Sequence, residues 1–259
     1  LREVVHQGEK SHNLPGNRLF YLATFPEHFD GIIANIKKAG LASQKEGWSR
    51  VALEKPFGQD LKSAQQLNRC IHKVFKEDQI HRIDHYLGKE LVQNIAITRF
   101  TNTLFEPLWS KEHIDHVQII LSEDFGIEGR GIFHDKYGTL KDVVQNHMLQ
   151  LLCLTAMEAP KLLTSGHIRD EKVKVLKSIK KIDSKNVVLG QYVGYHDEPG
   201  VKKNSQTETF ALIKLFVDNQ RWKGVPFYLV TGKNLKQRTS AIVIQFKEPI
   251  CRMFGGICN

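Results

Sequence analysis

The chain lacks any apolar run near the ~20 residues that a membrane-spanning helix requires; runs such as residues 151–154 (LLCL) stop after four. It also lacks paired cysteines. Cys70, Cys153, Cys251 and Cys258 form no C-x-x-C, so structural zinc is without its second ligand pair. His113 and His116 make an H-x-x-H with no partner ligands, a spacing that suits surface histidines. Cys70 and Cys153 fall on helical-looking apolar faces, where a reduced thiol behaves as a small hydrophobe; a reducing, cytoplasmic setting is expected. Blocks of like charge are missing too. The 37 Lys and Arg exceed the 28 Asp and Glu to give a net +9, yet the basic residues are scattered, with doublets at 180–181 and 202–203. Such an excess favours an anionic partner. With no RNP-type aromatic motif and no finger spacing, a phosphorylated metabolite is preferred over nucleic acid. There is no internal repeat, and the chain opens at Leu1 without an initiator Met or signal pattern, which suggests a fragment or a processed chain.

The 259 residues, 41% hydrophobic and 25% charged, allow one to two globular domains. Residues 19–23 (LFYLA) form a short apolar run, followed by Pro26 and a helix-like stretch to Ala39. Residues 50–53 (RVAL) make a second strand running into EKPFG. Asp60 can cap the next helix, whose Leu61, Ala64, Leu67, Ile71, Val74 and Phe75 keep helical spacing. A third strand at 79–83 leads into Asp84-His85-Tyr86. This alternation predicts a parallel sheet with ligands outside its carboxyl ends, where residues 54–58 and 84–89 fall. Beyond a boundary near residue 84 the pattern changes. Helices are predicted near 89–100, 140–157 and 170–179, and strands at 117–121, 187–193, 209–217, 227–231 and 241–246. Several strands alternate in period two, which suits a mainly antiparallel sheet with one face covered. The fold class expected is α/β plus α+β.

Four places could carry chemistry. In His85-Tyr86-Leu87-Gly88-Lys89, a helix start would set His85 and Lys89 on one face, where imidazole, phenol and ammonium suit a phosphate dianion; alternatively His85 packs in a domain junction and Lys89 points to water. In Asp142-Val143-Val144-Gln145-Asn146-His147, five residues turn an α-helix by ~500°, leaving the two side chains ~140° apart, so Asp142 is a poor orienting partner for His147. The helical neighbours of His147, namely Val143, Val144, Gln150 and Leu151, are mostly apolar. Such surroundings disfavour an imidazolium and keep the ring able to accept a proton; a satisfied core histidine fits equally. Gly126-x-x-Gly129-x-Gly131 resembles a nucleotide loop faintly, but no helix is expected after it, and a flexible loop is preferred. Glu123, Lys233 and Arg238, each near a strand end, are sugar or phosphate ligands or solvated charges.

Taken together, EKPFG at 54–58, RIDHYLGKE at 82–90, EGRG at 128–131, DVVQNH at 142–147, DEKVKVL at 170–176, LGQYVG at 189–194, RWKGVPF at 221–227 and GKNLKQR at 232–238 resemble the glucose-6-phosphate dehydrogenase family, in family order across nearly the whole chain. RIDHYLGKE is highly specific; EKP is shared with sugar dehydrogenases of the glucose–fructose oxidoreductase type. The resemblance implies a partial Rossmann-type NADP-binding domain at 1–84 and a substrate-binding and catalytic domain at 85–259. It implies oxidation of glucose 6-phosphate at C1 to the lactone with NADP as hydride acceptor, the first step of the oxidative pentose phosphate pathway, and a homo-oligomer for the full-length protein. His147 matches the general base and Asp84 the carboxylate that supports it. His85 and Tyr86 match phosphate ligands, joined in the substrate site by Lys89, Lys233 and Arg238. Glu123 and Asp142 match residues that bind sugar hydroxyls. Lys55 matches the lysine that touches cofactor and substrate, with Pro56 shaping the strand end behind it.

Nothing here matches the family's opening strand, glycine-rich turn and helix, and its remaining sheet is missing after residues 241–246. The expectation is an internal portion of a longer enzyme, which in isolation binds NADP poorly and leaves sheet edges exposed.

Overall fold

The chain divides after His85 into two units. In the first, α1 (Arg2–Ser11) precedes β1 (Arg18–Leu22), α2 (Phe29–Lys38), β2 (Ser49–Glu54), α3 (Leu61–His72) and β3 (Ile80–Ile83). The computed structural model describes residues 1–45 and 47–248, so Cys251 and Cys258 lie outside the described residues. The three strands are parallel in the order β1-β2-β3, with Leu22 opposite Leu53 and Leu53 opposite Arg82. Central β2 is buried through Val51, Ala52 and Leu53, the continuous apolar run expected of a parallel strand covered on both faces. Phe29, Ile33 and Ile36 form the buried stripe of α2. Asp60 caps α3 as expected: its carboxylate accepts from the Ser63 amide at 2.7 Å and the Ser63 hydroxyl accepts from the Asp60 amide at 3.0 Å. Leu22, Leu41, Ile71, Phe75 and Ile80 complete this core. The opening helix α1 was not expected, and none of its residues is fully buried.

The second unit contains α4 (Glu90–Phe100), α5 (Phe105–Leu108), β4 (Ile114–Ser122), α6 (Gly131–Thr139), a π-helical stretch (Leu140–Met148), α7 (Leu149–Ala156), α8 (Ser165–Ser178), β5 (Val187–Gly190), β6 (Phe210–Phe216), β7 (Pro226–Gly232) and β8 (Thr239–Phe246). Its sheet has the order β5-β6-β7-β4-β8. Three pairings are antiparallel, but β4 and β7 run parallel, so the sheet is mixed. Alternate residues of β6 (Ala211, Ile213, Leu215) and β7 (Phe227, Leu229) share a core with Leu151, Leu152 and Leu154 of α7.

α7 ends inside this core, where its last carbonyls need donors. Arg99 supplies two, at 3.1 Å to Leu154 O and 2.9 Å to Thr155 O. The indole N–H of Trp109 reaches Thr155 O and that of Trp222 reaches Ala156 O, each at 2.8 Å. Arg99 is fully buried, and burial brings its guanidinium down to about 10, still charged at neutral pH. Glu106 balances it at 3.2 Å and also pairs with Arg221 at 2.9 Å. Cys153 lies in the same core as a free thiol that burial pushes up to about 12, and Cys70 is also free. Among the described residues no helix is long and apolar enough to cross a membrane.

Candidate active site

His147 lies on the π-helical stretch, and this winding corrects the α-helical expectation over Leu140–Met148, while Leu149–Ala156 is α-helical as expected. The amide of Leu149 bonds to Val144 O, five residues back, and the Asn146 side chain donates to Lys141 O at 2.8 Å. In an i→i+5 ladder, residues five apart return to nearly the same side. Asp142 therefore comes round toward the side that carries His147, instead of lying ~140° away. The His147 side chain is buried. Its ring stacks on Tyr86 with centroids 4.3 Å apart and planes at 27°, and the Lys89 ammonium sits 3.4 Å from the Tyr86 centroid, a cation–π contact.

The expectation of His85 and Lys89 on one α-helical face does not hold. His85–Gly88 is a 3-10 turn, and Lys89 is the N-cap of α4, with extended backbone at φ −74° and ψ 136°. The break lets Lys89 fold back over Tyr86.

Glu123 and Lys233 meet because β4 and β7 are parallel. Ser122 stands opposite Gly232, so the residue after each strand leaves from the same sheet end. The Lys233 ammonium, only 4% exposed, is ion-paired with the Glu123 carboxylate. The Phe125 ring has two cations near it, with Lys233 5.7 Å and Arg238 5.9 Å from its centroid. Arg238 is otherwise exposed, just before β8.

The loop after β4 is pinned where a flexible loop was expected. Asn234 N donates to Phe125 O at 2.8 Å, Leu235 N to Glu123 O at 2.9 Å and Ile127 N to the Tyr192 hydroxyl at 3.3 Å. A helix, α6, does follow its last glycine, contrary to expectation. These glycines answer to packing: a Cβ on Gly126 would lie 2.9 Å from Tyr192 Oη, and one on Gly131 2.0 Å from Pro199 O.

Sequence reasoning missed His134, Asp135, Tyr195, Ser205 and Glu208. His134 is buried and hydrogen-bonded through Nδ1 to the Tyr195 hydroxyl at 3.2 Å and through Nε2 to the Thr139 hydroxyl at 3.4 Å. Burial, reinforced by Lys233, holds it down to about 4, with Asp142 opposing. Glu208 accepts from the amides of Thr139 (3.1 Å, at its carbonyl) and Leu140 (2.8 Å, at its carboxylate), while Thr209 O accepts from Lys233 N at 3.0 Å. The start of the π-helical stretch and the end of β7 are thus tied to adjacent residues. No motif or spacing marked these positions.

In the first unit, Lys55 and Pro56 follow the carboxyl end of β2, half-buried and joined by a cis peptide. Asp84 follows β3, half-buried, and exposed His85 opens the 3-10 turn. The ammonium of Lys55, beside a proline that presents no N–H, is a donor set that suits an anionic or carbonyl-bearing ligand at a parallel strand end.

A parallel βαβαβ unit followed by a mixed-sheet unit with a buried histidine defines an α/β protein of two compact units. Residues 1–94 match the family model described as "Glucose-6-phosphate dehydrogenase, NAD binding domain", and residues 96–258 match "Glucose-6-phosphate dehydrogenase, C-terminal domain". The chain belongs to the glucose-6-phosphate dehydrogenase family. It is 47% identical to the glucose-6-phosphate 1-dehydrogenase of Chlamydia muridarum, over 98% of this chain and 53% of that protein. To "glucose-6-phosphate 1-dehydrogenase 6, cytoplasmic" of Arabidopsis thaliana it is 53% identical, over 96% of this chain and 49% of that protein. A solved glucose-6-phosphate dehydrogenase in complex with its substrate glucose-6-phosphate superposes with a TM-score of 0.90 at 41% identity, over 98% of this chain and 54% of that one. The chain spans about half the length of the curated relatives it matches.

Proposed function

We propose that the protein to which this chain belongs oxidises glucose 6-phosphate at C1 to 6-phosphogluconolactone, with NADP as cofactor. The observation that carries this reading is the buried His147 ring stacked at 4.3 Å on Tyr86, with the Lys89 ammonium on the same phenol ring. A buried imidazole can accept the proton of the C1 hydroxyl. The flanking ammonium, with the imidazole of His85 and the phenol of Tyr86, offers the cation and donors that a phosphate dianion takes. Holding the phosphate, with Lys233 and Arg238 as further cations, aligns the sugar for reaction at the other end. Glu123 and Asp142 accept from its hydroxyls. When bound, NADP supplies the hydride acceptor, so that loss of a hydride from C1 and of a proton from its hydroxyl, forming the C1=O of the lactone, is a balanced two-electron oxidation. Lys55 and Pro56 would hold it from the end of β2, and Asp84 supports the imidazolium once formed. Asp84, His85, Lys55 and Pro56 take these roles from the family motifs they belong to.

We infer further that residues 1–84 form the cofactor domain and 85–259 the substrate domain, that the full-length protein is a homo-oligomer, and that it is cytoplasmic. A relative bearing the word cytoplasmic in its name supports the last point.

The test is turnover by the full-length protein. Glucose 6-phosphate should be oxidised with NADP, and glucose far more slowly. His147→Asn should lower kcat by about 10²–10⁴-fold, the usual worth of a general base, while still binding glucose 6-phosphate in calorimetry. Equal turnover of glucose and its 6-phosphate, or a His147→Asn variant of near-normal kcat, would falsify the assignment.

A further inference from the structure

We propose that His134 is a positioning residue for the catalytic segment: its ring completes a directed chain of hydrogen bonds that fixes Thr139, the residue that leads into the π-helical stretch carrying Asp142 and His147. This deepens the activity assigned above and rests on it.

The direction of the chain follows from its anionic end. An ionised carboxylate only accepts, and Asp135 Oδ1 takes both the Ser205 hydroxyl and the Tyr195 phenol, the latter at 3.4 Å. With its proton on that bond, the Tyr195 oxygen is left to accept, so His134 Nδ1, 3.2 Å away, is the protonated nitrogen of a neutral ring. Nε2 is then an acceptor, and the Thr139 hydroxyl at 3.4 Å is its donor. Thr139 occupies the N-cap of the π-helical stretch, yet its side chain caps none of that helix's amides; its hydroxyl turns to His134 instead. Thr139, His134 and Tyr195 are 1%, 2% and 1% exposed, so water does not compete for these bonds. Glu208 also accepts from the amides of Thr139 and Leu140. Asp142 follows three residues after Thr139, and His147 five residues after that.

A cationic side chain would not serve here. The charged groups that act on His134 are Lys233 and Arg130, which oppose a second positive charge, and Asp142 and Asp135, which favour one. Burial together with the two cations outweighs the carboxylates. A neutral ring joins two hydroxyls while adding no charge beside the Lys233–Glu123 pair.

The test uses the full-length enzyme with glucose 6-phosphate and NADP. His134→Phe keeps a flat ring and removes both hydrogen bonds; Thr139→Val removes the far hydroxyl at nearly constant volume. Each is expected to lower kcat about tenfold or more, the scale of a small misplacement of catalytic groups, with the KM for NADP within about twofold. The double variant should fall no further than the weaker single one, because either break opens the same chain. His134→Gln, which restores a donor and an acceptor, should recover part of the loss. Folded single variants with wild-type kcat, or losses that multiply in the double variant, overturn the positioning role. If His134→Phe does not fold, Thr139→Val decides alone. Wild-type enzyme that does not turn over glucose 6-phosphate sinks the assigned activity; wild-type turnover with unaffected variants sinks the role of His134 only.

Discussion

Lys233 is ion-paired with Glu123 across 110 residues of sequence, and the two meet because each is the first residue beyond one of two parallel strands. In an antiparallel pair, those residues would leave from opposite ends of the sheet. Glu123→Gln leaves a buried ammonium with a neutral acceptor. A stability loss of about 1–3 kcal/mol is expected, the cost of weakening a hydrogen bond to a charged group. The KM for glucose 6-phosphate should rise together with it. Urea unfolding and steady-state kinetics check both, and an unchanged KM would count against Glu123 as a sugar ligand.

Gly138 breaks the helical path near the end of α6, with φ at +65°, and a Cβ there would lie 2.5 Å from the Glu208 carboxylate. Gly138→Ala meets a strained backbone and displaces the group that holds the Leu140 amide. Loss of at least about 2 kcal/mol is expected, seen as a lowered urea midpoint. Gly166, with open space around its Cβ position, is the control; Gly166→Ala should leave the midpoint within error.

The lowered His134 value sets an acid limit on stability. Unfolding returns the ring from about 4 to its ordinary 6.5, so between those values the unfolded chain binds more protons than the folded one. Stability contributed by the neutral ring is complete above that window and lost as pH falls through it, by at most about 1.4 kcal/mol per pH unit. Whatever His134→Phe costs at pH 8, its urea midpoint should decline less steeply than the wild type's from pH 6.5 to 4. Parallel slopes would show that the ring does not titrate in this way.

Arg99 caps α7 and shares Glu106 with Arg221, so its removal strips two carbonyls and breaks a partly buried ion pair. Arg99→Met is expected to cost about 3 kcal/mol. Trp222→Phe, losing one indole bond to Ala156 O, should cost about 1 kcal/mol. Calorimetric melting orders the two, and a reversed order would remove Arg99 from the centre of that cap.

The first unit was legible because its signals are local. Alternating apolar runs place β1, β2 and β3, and the Asp60–Ser63 box starts α3 where the sequence places it. Most strands of the second unit were equally clear. The parallel β4–β7 pair was not, since no short-range pattern states which of two distant strands are neighbours. The π winding was hidden for a related reason: residues 140–148 carry an apolar spacing that an α-helix would also satisfy, and the wider turn shows only in the Leu149–Val144 bond. His134 falls between the EGRG and DVVQNH motifs and belongs to neither, and the groups that act on it, Tyr195 and Lys233, are far along the chain.

The π-helical stretch has one further consequence, which concerns the number of residues and not their kind. A wide turn holds an extra residue compared with a regular one. Deleting Gln145 would let the ladder tighten to α-helical winding with Asp142 and His147 four residues apart, which again sets them on one face, whereas adding a residue between them would carry His147 off that side. The spacing between Asp142 and His147 is therefore matched to its winding: a one-codon deletion is compatible with their shared side if the segment rewinds as an α-helix, whereas a one-codon insertion would misdirect the base.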